Sequence, residues 1–120
     1  GFAGGAACHT GNRTCFFNNI VKKEYVEKNP LTVLESVYAV IVDRMKNPKE
    51  DSYTNAVMEK GIDEILKKLG HECTEIILAA KNPDSDDLKF EISDFMYHCM
   101  ILMAQKNITW AEIAGELAQR

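Results

Sequence analysis

Two pairs of acidic residues stand out for the chemistry they could support. Glu72 and Glu75 lie three residues apart, and Glu91 and Asp94 repeat that spacing. On an α-helix, residues at i and i+3 project from one face. Apolar residues flank both pairs: Ile76 and Ile77 follow the first, and Ile92 and Phe95 surround the second. Four carboxylates on half-buried surfaces repel one another, and keeping them ionised there is costly. A hard divalent cation removes the conflict. Oxygen ligands with positions left for water suit Mg2+, which binds carboxylates together with substrate phosphates. A cation held this way polarises a phosphoryl group and lowers the pKa of a bound water. Acidic residues at this spacing are also common on solvated helix faces. The pattern by itself leaves a metal site and a plain polar surface both open.

The segments that carry these pairs read as helices. Ile62, Ile65, Leu66, Leu69, Cys73, Ile76, Ile77 and Ala80 form a broad apolar stripe, which predicts a helix over 62–81 with Gly70 inside it. Asn82-Pro83-Asp84-Ser85 supplies a turn. A second helix is predicted over 86–106; its stretch from Phe95 to Met103 is apolar nearly all round and needs cover from several sides. A short turn makes these two helices antiparallel neighbours, which sets the carboxylate pairs opposite each other. Upstream, Thr32 and Glu35 fit a capping box. Leu34, Val37, Tyr38, Ile41 and Met45 then share one face, and Pro48 ends that helix near Asn47. Thr54 is the expected cap of a short helix over 55–60, which Gly61 interrupts. Thr109 and Glu112 open a last helix whose apolar members are Ala111, Ile113, Ala114, Leu117 and Ala118. No strand is expected after residue 30. The fold class is therefore all-α, a bundle of four to five helices. A set of roughly 90 residues holds a limited core. The apolar 95–103 stretch asks for a second copy, so a homodimeric bundle is expected.

Composition narrows the function classes. The 120 residues include 46% hydrophobic ones, which fits a folded domain, and the formal net charge is -4. That balance argues against nucleic acid as a partner but leaves a phosphorylated small molecule open, bridged through a cation. No run is long and charge-free enough to span a bilayer, so no membrane association is expected. Gly1 to Ala7 lacks a basic segment, so no signal peptide is expected. The expected location is the cytoplasm, with Cys8, Cys15, Cys73 and Cys99 reduced. Cys73 and Cys99 sit in apolar helical patterns as small hydrophobes. The chain starts without Met, and a piece of a longer protein is expected.

The residues around the acidic pairs resemble a known family. Gly70-His71-Glu72-Cys73-Thr74-Glu75, followed by Glu91-Ile92-Ser93-Asp94-Phe95-Met96-Tyr97-His98, is similar to the phosphoribosyl-ATP pyrophosphohydrolases of histidine biosynthesis, all-α enzymes of the MazG type. Arg44-Met45-Lys46-Asn47-Pro48 and Asp51-Ser52-Tyr53-Thr54 resemble the family's basic loop and the segment after it. Lys60-Gly61 through Gly70, and Ala79-Ala80-Lys81-Asn82, also match in order. The resemblance covers 31–120. It implies hydrolysis of phosphoribosyl-ATP to phosphoribosyl-AMP and pyrophosphate, by Mg2+-assisted attack of water on the triphosphate. Glu72, Glu75, Glu91 and Asp94 would be the catalytic and metal-binding residues. Arg44, Lys46, Ser52, Tyr53, Lys60 and Lys81 would bind the ATP-like substrate. A general nucleoside triphosphate pyrophosphohydrolase of the same superfamily, or a non-catalytic helical dimerisation module, are the alternatives. One departure is His71, which stands where the family has a further glutamate beside Glu72. His98 is read as a packed, hydrogen-bonded residue.

The N-terminal segment has its own resemblance. Ala7-Cys8-His9-Thr10-Gly11, with Thr14-Cys15-Phe16-Phe17, is similar to the closing motif of phosphoribosyl-AMP cyclohydrolase, which acts at the next pathway step. The two activities are fused in this order in many bacteria. The resemblance implies that Cys8 and Cys15 are remnants of a zinc site. Its third cysteine and the aspartate-rich magnesium motif are missing, and two thiolates do not make a zinc site. Neither zinc nor cyclohydrolase activity is expected. The expected organisation is a cyclohydrolase tail over 1–20, a linker over 21–30 and the pyrophosphohydrolase domain over 31–120.

Overall fold

The computed structural model describes residues 29–120, and the described segment is helical throughout with no strand. Its helices are α1 (Thr32–Lys46), α2 (Tyr53–Glu59), α3 (Ile62–Ala80), α4 (Asp86–Gln105) and α5 (Trp110–Ala118). The expected all-α class and helix order hold. The expectations for 1–28, including Cys8 and Cys15, lie outside the described residues. The chain divides into two compact units, Gly1–Val37 and Tyr38–Arg120, with the break inside α1.

In the first unit, the described residues open α1. The Asn29 side-chain oxygen accepts from the Leu31 N–H at 2.9 Å, and the Thr32 hydroxyl donates to the Asn29 carbonyl oxygen at 2.7 Å. Thr32 is thus the first helical residue and not the capping residue expected. The helix starts on an asparagine turn instead.

The second unit carries the site. Its main packed pair is α3 against α4, and α2 lies against both. The core contains Ile41, Val57, Ile65, Met100 and Ile101, all nearly inaccessible to solvent. Ser52 caps α2: it has extended backbone angles, and its hydroxyl accepts from the Asn55 N–H at 3.2 Å. This corrects the expectation of Thr54 as the cap. Thr54 is buried inside the helix, and its hydroxyl pairs with the Tyr97 hydroxyl. Gly61 separates α2 from α3 at a φ of 96°, a left-handed conformation that other residues adopt with strain. The helix α3 then runs unbroken through Gly70.

The end of α4 shows how the chain turns into α5. Asn107 adopts a left-handed φ of 59°, the Ile108 N–H donates to the Met103 carbonyl at 2.9 Å, and the Asn107 N–H donates to the Ala104 carbonyl. This is a Schellman closure with asparagine in the glycine position. Thr109 and Glu112 then form the expected capping box: the Thr109 N–H donates to Glu112 Oε1 at 2.8 Å, and the Glu112 N–H donates back to the Thr109 hydroxyl at 3.2 Å. Tyr38 on α1 ties in by donating its hydroxyl to the Ile108 carbonyl.

The apolar stripe of α3 is only partly covered. Ile65 is buried, whereas Leu66, Ile77 and Leu78 are exposed, as is Cys73. Cys73 therefore does not sit in the core as its pattern suggested. The stripe is wider than the surface that α2 and α4 offer within one chain. No helix among the described residues is long and apolar enough to cross a membrane.

Candidate active site

The acidic pairs come together because α3 and α4 are the most closely packed helices and each pair occupies the face turned to the other helix. Glu72 is 8% exposed, while Glu75, Glu91 and Asp94 are half-buried. Glu72 Oε1 is buried and has no hydrogen-bond partner. Burial, a hydrogen bond with Asp94 and the charges of Asp94, Glu91 and Glu75 push the Glu72 carboxyl up to about 7. Burial and the charges of Glu75 and Asp94 also raise the Glu91 carboxyl. The four groups thus feel one another as a single negative cluster. Buried polar atoms are ordinarily paired, so the orphaned Glu72 oxygen marks a place where a positive partner is missing from the side-chain network.

Those donors suit a hard divalent cation. Glu72, Asp94 and His98 each place a potential ligand atom within 4.8 Å of the others. The histidine, however, is already committed. Its Nδ1 lies 2.8 Å from the Asp94 carbonyl oxygen and its Nε2 lies 2.7 Å from the Tyr53 hydroxyl. The carboxylate oxygens are the available ligands, and oxygen donors fit Mg2+ better than imidazole does. Glu72 and Asp94 are therefore the donors best suited to the centre of any such site, with Glu75 and Glu91 beside them.

The start of α2 delivers Tyr53 to this cluster. Burial and the charges of Asp94 and Glu72 push the Tyr53 hydroxyl up to about 12, so it stays protonated at neutral pH. Tyr97, one turn from Asp94, is also raised by burial, partly offset by its bond to Thr54 and by the Arg44 guanidinium. Among the expected cations, Arg44 acts on this network through its charge at Tyr97. Its side chain is 15% exposed and sits 3.5 Å from Asp43. Lys46, Lys60 and Lys81 are exposed at or just beyond the ends of α1, α2 and α3. Lys81 lies nine residues beyond Glu72, about 13 Å along the helix axis.

Ser52 is buried and occupied as the cap of α2, which gives it a structural task in addition to the binding role expected. Beside it, a cleft of about 570 Å3 is lined by residues between Pro48 and Glu59, including Lys49, Asp51, Ser52 and Tyr53. Tyr53 borders both this cleft and the acidic cluster. Asn55 orders the cleft's loop, accepting from the Lys49 N–H at 2.9 Å and donating to the Arg44 carbonyl at 2.8 Å. The sequence reading missed Asn55. Its place three residues after the capping serine was the available signal. His71 is exposed on α3, and its Nε2 lies 3.5 Å from Glu75 Oε2.

Comparison with known proteins identifies relatives of this chain. The family profile described as "Phosphoribosyl-ATP pyrophosphohydrolase" matches residues 34–120. A "Phosphoribosyl-ATP pyrophosphatase" of Clostridium novyi is 51% identical over 90 residues, covering 75% of this chain and 82% of the relative. One of Bacillus cereus is 47% identical over 93 residues, covering 78% and 84%. A "Histidine biosynthesis bifunctional protein HisIE" of Caldanaerobacter subterraneus is 45% identical over 118 residues, covering 98% of this chain and 56% of the relative. The chain thus spans a little over half the length of the bifunctional relatives it matches. Helices α3 and α4, with both acidic pairs, fall wholly inside the matched region, and the chain belongs to the phosphoribosyl-ATP pyrophosphohydrolase family.

Proposed function

We propose that this chain hydrolyses phosphoribosyl-ATP to phosphoribosyl-AMP and pyrophosphate in histidine biosynthesis, as a cytoplasmic enzyme using Mg2+. The observation that carries the reading is the buried Glu72 carboxyl, with one oxygen unpartnered and its acidity weakened by three neighbouring carboxylates. Glu72 and Asp94 would hold the cation, with Glu75 and Glu91 completing its surroundings. Bound there, the cation would neutralise phosphate charge and polarise the phosphoryl group under attack. Arg44, half-buried with its charge felt at Tyr97, would counter further phosphate charge. Lys46, Lys60 and Lys81 reach phosphates only through their long, exposed side chains. Tyr53, held in its O–H form, presents its hydroxyl at the border between cleft and cluster. Phosphoryl transfer depends mostly on such positioning and charge stabilisation.

The relatives also suggest an organisation. Residues 1–20 are read as the tail of a cyclohydrolase domain, 21–30 as a linker and 31–120 as the hydrolase domain. The exposed Leu66, Ile77 and Leu78 on α3 favour a homodimer that buries this face.

The test is turnover with Mg2+ by the purified chain, read as pyrophosphate release. Phosphoribosyl-ATP should be preferred over ATP, and Asp94→Asn should lower the rate by about 100-fold or more. A preference for ATP would instead indicate a general nucleoside triphosphate pyrophosphohydrolase.

A further inference from the structure

We propose that Tyr53 and His98 are positioning residues for the Glu72–Asp94 carboxylate pair: the Tyr53 hydroxyl anchors the His98 ring so that its Nδ1–H stays aimed at the Asp94 turn. The inference rests on the cation-binding reading above and adds two residues that organise its ligands without being ligands.

The geometry fixes the proton. His98 is 3% exposed. Its Nδ1 is 2.8 Å from the Asp94 carbonyl oxygen and 3.6 Å from Asp94 Oδ1. A carbonyl oxygen only accepts, so Nδ1 carries the hydrogen. In a neutral imidazole, Nε2 is then an acceptor, and the Tyr53 hydroxyl at 2.7 Å donates to it. The ring has little room to turn. Tyr53 and Tyr97 meet it nearly perpendicular, with centroids at 5.7 and 5.9 Å. Tyr97 is in turn tied to Thr54. The first turn of α2 is thereby linked to the turn of α4 that presents Asp94.

Loss of the Tyr53 hydroxyl leaves the His98 Nε2 lone pair without its donor. A ring that swings Nε2 toward another donor carries its Nδ1–H away from the Asp94 carbonyl. Asp94 would then shift relative to Glu72. Partners that orient metal ligands typically change metal affinity by about 10–100-fold when removed.

The test is Mn2+ binding to the full chain without substrate, read from the electron paramagnetic resonance signal of the unbound ion. Wild type is expected to bind. Tyr53→Phe and His98→Gln should each weaken affinity about tenfold. His98→Asn retains an amide N–H near the Nδ1 position and should stay within about threefold of wild type. Tyr53 is 48% exposed, so Tyr53→Phe should fold normally, which its melting temperature in chelator checks. Wild-type binding with unchanged affinity in Tyr53→Phe and His98→Gln overturns the positioning role alone. A nitrogen coupling in the spin-echo spectrum of bound Mn2+ that disappears in His98→Asn makes His98 a ligand and also overturns it. No Mn2+ binding by wild type overturns the cation reading together with this inference.

Discussion

Replacing Glu72 by Gln asks what the acidic cluster costs the fold when no cation is bound. Glu72 is 8% exposed and its carboxyl is pushed from 4.5 up to about 7. A carboxyl whose folded-state pKa is raised holds its proton more tightly in the folded chain. Between about pH 4.5 and 7 the folded state therefore binds more protons than the unfolded one, and stability falls as pH rises through that window. At 1.36 kcal/mol per pH decade, the upper bound is roughly 3.4 kcal/mol. Asp94 and Glu75 are about a third exposed and water screens their charges, so we expect ~1–2 kcal/mol. Gln keeps the shape and cannot ionise. In chelator, denaturant unfolding should give the variant a stability advantage over wild type that grows by ~1–2 kcal/mol from pH 5 to pH 8. Added Mg2+ should stabilise wild type and leave the variant nearly unchanged. A difference between the two proteins that does not vary with pH would refute the picture of a strained, desolvated carboxylate.

Other perturbations test the framework. Ile101→Ala removes a side chain with no exposed surface and should lower unfolding free energy by ~2–5 kcal/mol, measured in urea. Ser52→Ala deletes the α2 cap and should lower stability by ~1 kcal/mol by the same measurement. Ile77→Lys on the exposed α3 face should shift the chain to monomer in analytical ultracentrifugation while leaving its helical circular dichroism intact. An unchanged sedimentation coefficient would remove that face from the interface.

The helix boundaries were largely legible in the sequence because they rest on local chemistry. Gly61, the Thr109–Glu112 box and the turn at Asn82–Ser85 act within a few residues. Thr54 was misjudged for a reason local rules do not contain. Ser52 and Thr54 both have cap chemistry, and the choice between them is made by Tyr97, 43 residues away, which takes the Thr54 hydroxyl. Burial on α3 was overestimated for a similar reason: period shows which residues share a face, not how much of that face a neighbour covers. At the site, the i,i+3 spacing was enough to expect four acids on facing helices. Which of them is desolvated was not legible, since that depends on what the folded chain packs around each carboxylate and not on spacing. The Tyr53–His98 bond spans 45 residues and has no sequence signal of its own.

Glu72 and Asp94 are the proposed core of a divalent-cation site. Anomalous diffraction from crystals grown with Mn2+ tests it most directly. A peak within coordination distance of carboxylate oxygens of both residues is the predicted result. Bound Mn2+ whose peaks all lie elsewhere on the chain would contradict it.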